Sequence, residues 1–205
     1  MDKWNTLVIK DVVEKTVDAL KANGINARFV KTGKEAYDAV LSLIPEGSEV
    51  MNMTSVTLDS LGLPKELNES GKYNSIRNKL NAMDRATQGL AMQKLGAAPE
   101  FAIGSVQAVT ENGEVLIASN TGSQLSAYAG GSPNVIWVVG TQKIVKNTKQ
   151  ALERIYQYVL PLEAERINKA LNMTKGSFVS KLLVINREIR SGRITLIFVN
   201  EVLGF

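Results

Sequence analysis

The seven residues Asn134 to Gly140, NVIWVVG, constrain this chain more than any other stretch. Val135 to Val139 are apolar without a break, and no polar alternation marks a wet face. A strand of this kind is buried on both faces, as in sheets that carry cover on each side. The flanking sequence supplies the covering elements. From Thr6, apolar residues recur at helical spacing through Leu7, Val8, Val12, Val13, Val17 and Leu20, with Gly24 as the stop. "INARFVK" alternates as a strand. "TGKE" then predicts a helix start with Thr32 as N-cap and Glu35 at N3, its stripe running over Ala36, Tyr37, Val40, Leu41 and Ile44 to Pro45. "SEVMNM" reads as a strand, after which Thr54 or Ser55 caps a brief helix ending near Gly62.

Further along, "PKELNESGKYN" predicts a mobile surface excursion, and Ser75 to Leu95 a single long amphipathic helix. "FAIGSVQAV" and "EVLIAS" read as strands around Asn112-Gly113, a strong hairpin signal. Helices are expected over Thr148–Tyr158 and, after Pro161, to about Leu171. Two strands, "SKLLVINREI" and "RITLIFVNEVLGF", close the chain and meet at Ser191-Gly192 as a hairpin. Such alternation predicts an α/β fold, a layered domain whose mixed, mostly parallel sheet is flanked by helices. One domain is expected over residues 1–205, with 1–45 as a flank of the same unit.

Two absences narrow the chemistry. The chain has no cysteine, so it forms no disulfide, thiol nucleophile or thiolate-held iron–sulfur cluster. It has no histidine either, which removes the commonest general base and metal ligand. No metal site is expected, and the cofactor is unknown. The net charge of +4 is spread along the chain without a basic block, so no nucleic-acid partner is expected. No apolar run approaches the ~18–20 residues that span a bilayer, so no membrane partner is expected. Lys10, Asp11, Glu14 and Lys15 interrupt any leader-like apolar segment, which points to a cytoplasmic protein.

Candidate site residues gather at strand-to-helix junctions. In "SNTGSQLSAYAGGSP", Thr121, Gly122 and Ser123 fit a helix start whose free amides would hold an anion, with Gly130-Gly131 as the stop. Asn120 and Gln124 flank them. The same residues also fit a plain capped connection. Ser55 and Thr57 repeat the pattern after the earlier strand, and two such junctions often face one crevice at the carboxyl ends of the strands. Gln142 and Lys143 follow the NVIWVVG strand directly, where a lysine would neutralise an anion or simply sit exposed. Glu111, beside the Asn-Gly turn, is the candidate catalytic carboxylate in a chain without histidine; solvated turn glutamates are commoner. Glu163 and Arg166 form an i,i+3 pair, read as structural.

Four stretches carry a resemblance: "SEVMNMTSVTLDSLGL", "GSVQAVTENGEVLIASNTGSQLSAYAGGSPNVIWVVGTQKIV", "LPLEAERINKAL" and "GRITLIFVNEVLGF". In this order they resemble the LUD family, named for lactate utilisation, from about Leu20 to Phe205. The resemblance implies the fold shared by ribose-5-phosphate isomerases, glucosamine-6-phosphate deaminases and CoA transferases. It also implies a link to oxidation of L-lactate to pyruvate beside iron–sulfur partner proteins. Two features depart from the family. Many members have Asp-Gly-Thr-Gly-Asn-Arg where this chain has Ser119 to Gln124, so the acid and arginine are missing. Many carry a cysteine cluster where this chain reads "NMTKGSFVSKLLV", which marks a cysteine-free subgroup.

These observations lead to a protein of lactate or small-acid utilisation that binds an anionic small molecule at the junctions. Two rivals stand beside it. One is an enzyme resembling CoA transferases or sugar-phosphate isomerases, with Glu111 as nucleophile or base. The other is a non-catalytic scaffold subunit, and a homo-oligomer is compatible with any of the three.

Overall fold

The computed structural model describes residues 3–172 and 176–205. The first helix, α1 (Lys10–Ala22), starts later than Thr6 because Ile9 holds the extended N-cap position. It ends as expected, with Gly24 at φ +81°, a conformation that glycine adopts without a Cβ clash. Then follow β1 (Asn26–Val30), α2 (Gly33–Leu41), β2 (Glu49–Asn52) and α3 (Val56–Ser60). The Thr32 hydroxyl caps α2 by accepting from Glu35 N at 3.2 Å. The return bond shifts by one residue, since the Glu35 carboxylate accepts from Lys31 N at 2.8 Å.

The expected mobile excursion is folded instead. It forms α4 (Leu63–Glu69), which buries Leu63 and Leu67, and the two-residue edge strand β3 (Asn74–Ser75). Those two leucines lie four apart, enough apolar spacing for one short helix face. The expected long helix is also broken. It divides into α5 (Ile76–Asn81) and α6 (Arg85–Ala97), because Asp84 caps a new start by accepting from Ala86 N at 2.9 Å.

Next come β4 (Phe101–Gly104), β5 (Ala108–Thr110), β6 (Val115–Ser119), β7 (Asn134–Gly140) and β8 (Ile144–Val145). The β5–β6 turn has positive φ at Gly113 alone, with Gly113 N donating to Thr110 O at 2.8 Å. That is a three-residue hairpin loop rather than the two-residue type that Asn-Gly favours. Helices α7 (Thr148–Arg154) and α8 (Leu160–Leu171) run on as one rod through a π turn at Ile155–Val159. The wider turn absorbs Pro161, whose ring and missing N–H would otherwise break the helix. Strands β9 (Lys181–Ile185) and β10 (Ile194–Val199) complete the chain. Residues 173–175, inside the "NMTKGSFVSKLLV" stretch, lie outside the described residues.

Six strands form an all-parallel sheet in the order β1-β10-β7-β4-β2-β3. The other four form a mixed sheet, β8-β5-β6-β9. The closing strands are therefore not a hairpin, because β9 joins the small sheet and β10 inserts into the large one. A Ser-Gly turn looks the same locally in either case, and only the non-local partners decide. Ile136 and Val138 of β7 face a core shared with α2, α3 and α4. Val135, Trp137 and Val139 face a second core, closed by α1 and by Val109, Val115, Ile117 and Ile144 of the small sheet. The unbroken apolar run correctly marks a strand covered on both sides; one of the two covers is largely another sheet. A third cluster joins the outer face of the small sheet to α7 and Trp4.

Candidate functional site

At the carboxyl end of β7 the chain makes a single 3-10 turn, Thr141–Lys143, that sends the following side chains inward. Lys143 is only 2% exposed. Its ammonium nitrogen lies 3.0 Å from Thr57 Oγ1 and 3.2 Å from Ser105 Oγ. Thr57 is itself buried and donates its hydroxyl hydrogen to Leu203 O at 3.0 Å, so it accepts from Lys143. Gln142, also buried, donates from Nε2 to Leu203 O at 3.0 Å. Ser55 caps α3 by accepting from Leu58 N at 3.4 Å, which fixes the turn that aims Thr57 at the lysine. The amine at the end of β7 is thus met by the start of α3 and by the residue after β4, while Leu203, beyond β10, holds Thr57 and Gln142 in place.

The charge balance here is unusual. Among the described residues, no carboxylate lies within 4.0 Å of the Lys143 amine. The fully buried Arg154 of α7 is a further positive charge close enough to act on it. Burial holds the Lys143 pKa well below the ordinary lysine value, and the Arg154 charge adds to the effect. Arg154 donates to Gln107 O at 2.6 Å and lies over the Tyr158 ring. Three buried oxygens at the ends of β2 and β7, Asn52 Oδ1, Thr141 Oγ1 and Gln142 Oε1, have no hydrogen-bond partner among the described residues. Buried polar groups are rarely left so.

The second junction is built differently. Gly122 N donates to Ser119 Oγ at 2.8 Å and Ser123 N to Thr121 Oγ1 at 3.3 Å. Gln124 Oε1 accepts from Ser119 Oγ at 3.0 Å, and Asn120 Nδ2 donates to Phe178 O at 3.3 Å. The Gly122 and Ser123 amides, two of those expected to face a ligand, are satisfied within the loop. No regular α-helix begins here either; the segment ends in a π turn over Ala127–Gly131. Gly131 serves close approach, since a Cβ there would lie 2.1 Å from Ala97 O at the end of α6. No hydrogen bond joins residues 120–124 to Ser55, Thr57, Gln142 or Lys143.

Glu111 sits on the β5–β6 turn against α1, paired with Lys15 at 2.9 Å. Its backbone N–H donates to Val145 O, and the neighbouring Asn112 carbonyl accepts from Asn23 of α1. Glu163 and Arg166 form a two-bond pair at 2.7 Å, as their spacing suggests. The start of α2 lines a shallow depression of about 570 Å³. Its first amide is already taken, because Gly33 N donates to the Glu201 carboxylate at 2.9 Å. Among the described residues no cluster of three or more carboxylates is arranged to hold a metal. No helix among them is long and apolar enough to cross a membrane.

Ser105 and Arg154 belong to the site without having stood out in the sequence. Ser105 follows strand β4 as Ser55 follows β2, and that parallel was the available signal. Nothing near Arg154 marks it as buried, since "ALERIY" reads as an ordinary amphipathic helix.

The chain is similar to three solved structures to different degrees. A DUF162 family protein from Deinococcus radiodurans superposes with a TM-score of 0.57 at 11% identity, covering 95% of this chain and 100% of that one. Ribose 5-phosphate isomerase from Plasmodium falciparum gives 0.40 at 14% identity, over 82% and 93% of the two chains. The eIF2B beta of Chaetomium thermophilum gives 0.39 at 16%, over 68% and 48%. No curated protein matches the chain as a relative. The sequence profile of the LUD domain matches residues 13–199, nearly the whole length. With an α/β layered architecture and a six-stranded parallel sheet, this chain belongs to the LUD domain family.

Proposed function

We propose that the chain is a cytoplasmic protein of small-acid metabolism, within a family linked to lactate utilisation, and that it binds an anionic metabolite beside Lys143. The observation that carries this reading is a buried amine with two hydroxyl partners, a buried arginine nearby and, among the described residues, no carboxylate within 4.0 Å of the amine. An uncompensated buried ammonium is costly, and a bound anion lowers that cost. Thr57 and Ser105 orient the amine, while Ser55 holds the α3 start in place.

The sign of the pH dependence follows. Burial depresses the Lys143 pKa, and a bound anion favours the ammonium, so binding takes up a proton. Affinity therefore falls as pH rises through the depressed Lys143 pKa. Thermal-shift titrations with L-lactate and inorganic phosphate test this, since a ligand at about 100 times its Kd stabilises by about 2.7 kcal/mol. The expected result is a stabilisation that shrinks as pH rises and is absent in Lys143→Met. Equal stabilisation of wild type and Lys143→Met would overturn the assignment.

A further inference from the structure

We propose that Lys143 is an amine nucleophile that condenses with a small aldehyde or ketone carrying an anionic group, a carboxylate or a phosphate. The inference rests on the anion-binding reading above and names the substrate class of the same site.

The geometry supplies each requirement. Thr57 has committed its hydrogen to Leu203 O, so it can only accept from the Lys143 amine, and it fixes one N–H. Among the described residues, that amine is the one hydrogen-bond partner of the Ser105 hydroxyl. Its hydroxyl hydrogen is thus free to turn toward the nitrogen lone pair or toward an oxygen bound beside it. Ser105 is also the half-buried member of the trio, and it marks the side from which a small molecule arrives. With no carboxylate in reach, nothing built into the site holds a proton on the amine. Desolvation together with a neighbouring cation is a recognised way to keep a lysine nucleophilic. Burial and Arg154 both act in that direction here.

The step balances without a cofactor. The neutral amine adds to the carbonyl carbon, and the proton leaving nitrogen passes through Ser105 to the carbonyl oxygen, giving a carbinolamine. Loss of that hydroxyl as water leaves an imine between Lys143 and the substrate carbon.

Borohydride trapping tests the proposal, because hydride reduces the imine to a stable secondary amine. The full chain is incubated at pH 7 with glyoxylate or with glyceraldehyde 3-phosphate, reduced, digested and mapped by tandem mass spectrometry. An ordinary lysine is neutral to only about one part in 2,500 at this pH, so Lys143 is expected to carry at least about tenfold more label than any other lysine. Comparison of the two probes decides between a carboxylate and a phosphate. Lys143→Arg, which has no nucleophilic amine at this position, should lose the label. Label absent from Lys143 in the wild type, or spread evenly over the lysines, would overturn the proposal whether or not any variant folds. If L-lactate or phosphate stabilises the wild type and no label appears, only the covalent step falls. If neither effect appears, the anion-binding reading falls with it.

Discussion

Replacing Arg193 with alanine is expected to lower the unfolding free energy by about 3–5 kcal/mol, the usual cost of removing one partner from a buried ion pair. The pair is deep, with side-chain exposures of 3% for Arg193 and 7% for Glu188, and an Nε–Oε2 distance of 2.5 Å. Arg193 does more than balance charge. It donates to Ser132 O at 3.1 Å and to Tyr128 O at 2.7 Å, which ties the segment before β10 to the segment before β7. Glu188 N donates to Asn23 O at 2.8 Å, adding the end of α1 to the same knot. Alanine therefore strands a carboxylate and two carbonyls together. Lysine is a poor substitute, because a single ammonium cannot span the three acceptors that the planar guanidinium reaches. Urea denaturation measures the loss; a cost below about 1 kcal/mol, as for exposed pairs such as Lys34–Asp38, would contradict it.

The same pair sets an acid limit. Burial alone would raise the Glu188 pKa, but the Arg190 amide and Arg193 outweigh it and hold the carboxyl below its ordinary range. A depressed folded-state carboxyl pKa stabilises the protein above the unfolded value of about 4.3. That contribution is lost as pH falls below 4.3 through the folded value, and Arg193→Ala should flatten this part of the stability curve.

Trp137→Ala is expected to cost a similar amount, about 3–5 kcal/mol, through the cavity it leaves. Trp137 has no exposed surface and lies in β7 between β4 and β10, so no loop can collapse into the gap. Its ring meets Tyr128 edge-on, with centroids 5.3 Å apart and planes at 88°. Losing that aromatic pair forfeits roughly another 0.5–1.5 kcal/mol of the total. Equilibrium unfolding should show a lower midpoint with an unchanged slope. A cost under 1 kcal/mol would mean that the two cores repack across the sheet.

The large features of the fold were legible because they depend on local pattern. Val135 to Val139 mark a doubly covered strand, and Thr32 and Ser55 mark helix starts through their own hydroxyls. What was not legible depends on distant partners. The Ser191-Gly192 turn does not reveal that β9 and β10 part to different sheets. Asp84 breaks an otherwise plausible helix, and a two-residue strand such as β3 has no pattern to detect. The site divides in the same way. Thr57, Gln142 and Lys143 were visible as junction residues, but their inward direction comes from one 3-10 turn. Residues 120–124 resemble an anion loop in composition, yet the Gly122 and Ser123 amides are taken by the Ser119 and Thr121 hydroxyls. Ser105 and Arg154 join the site only through the arrangement of the two sheets.

The strand order carries a consequence for biosynthesis. Among the described residues β1 pairs with β10 alone, so it emerges from the ribosome long before its neighbour exists. At roughly 5–20 residues per second, it waits about ten to thirty seconds as an unpaired strand. Meanwhile β2, β4 and β7 can assemble in sequence, leaving the open edge of β7 to receive β10 last. Such late, long-range pairing is slow and leaves strand edges bare to other nascent chains. Arg28, Lys31 and Lys34, in and just after β1, put positive charge along the segment that waits longest. Charge of one sign on an unpaired edge discourages strand-to-strand aggregation between copies.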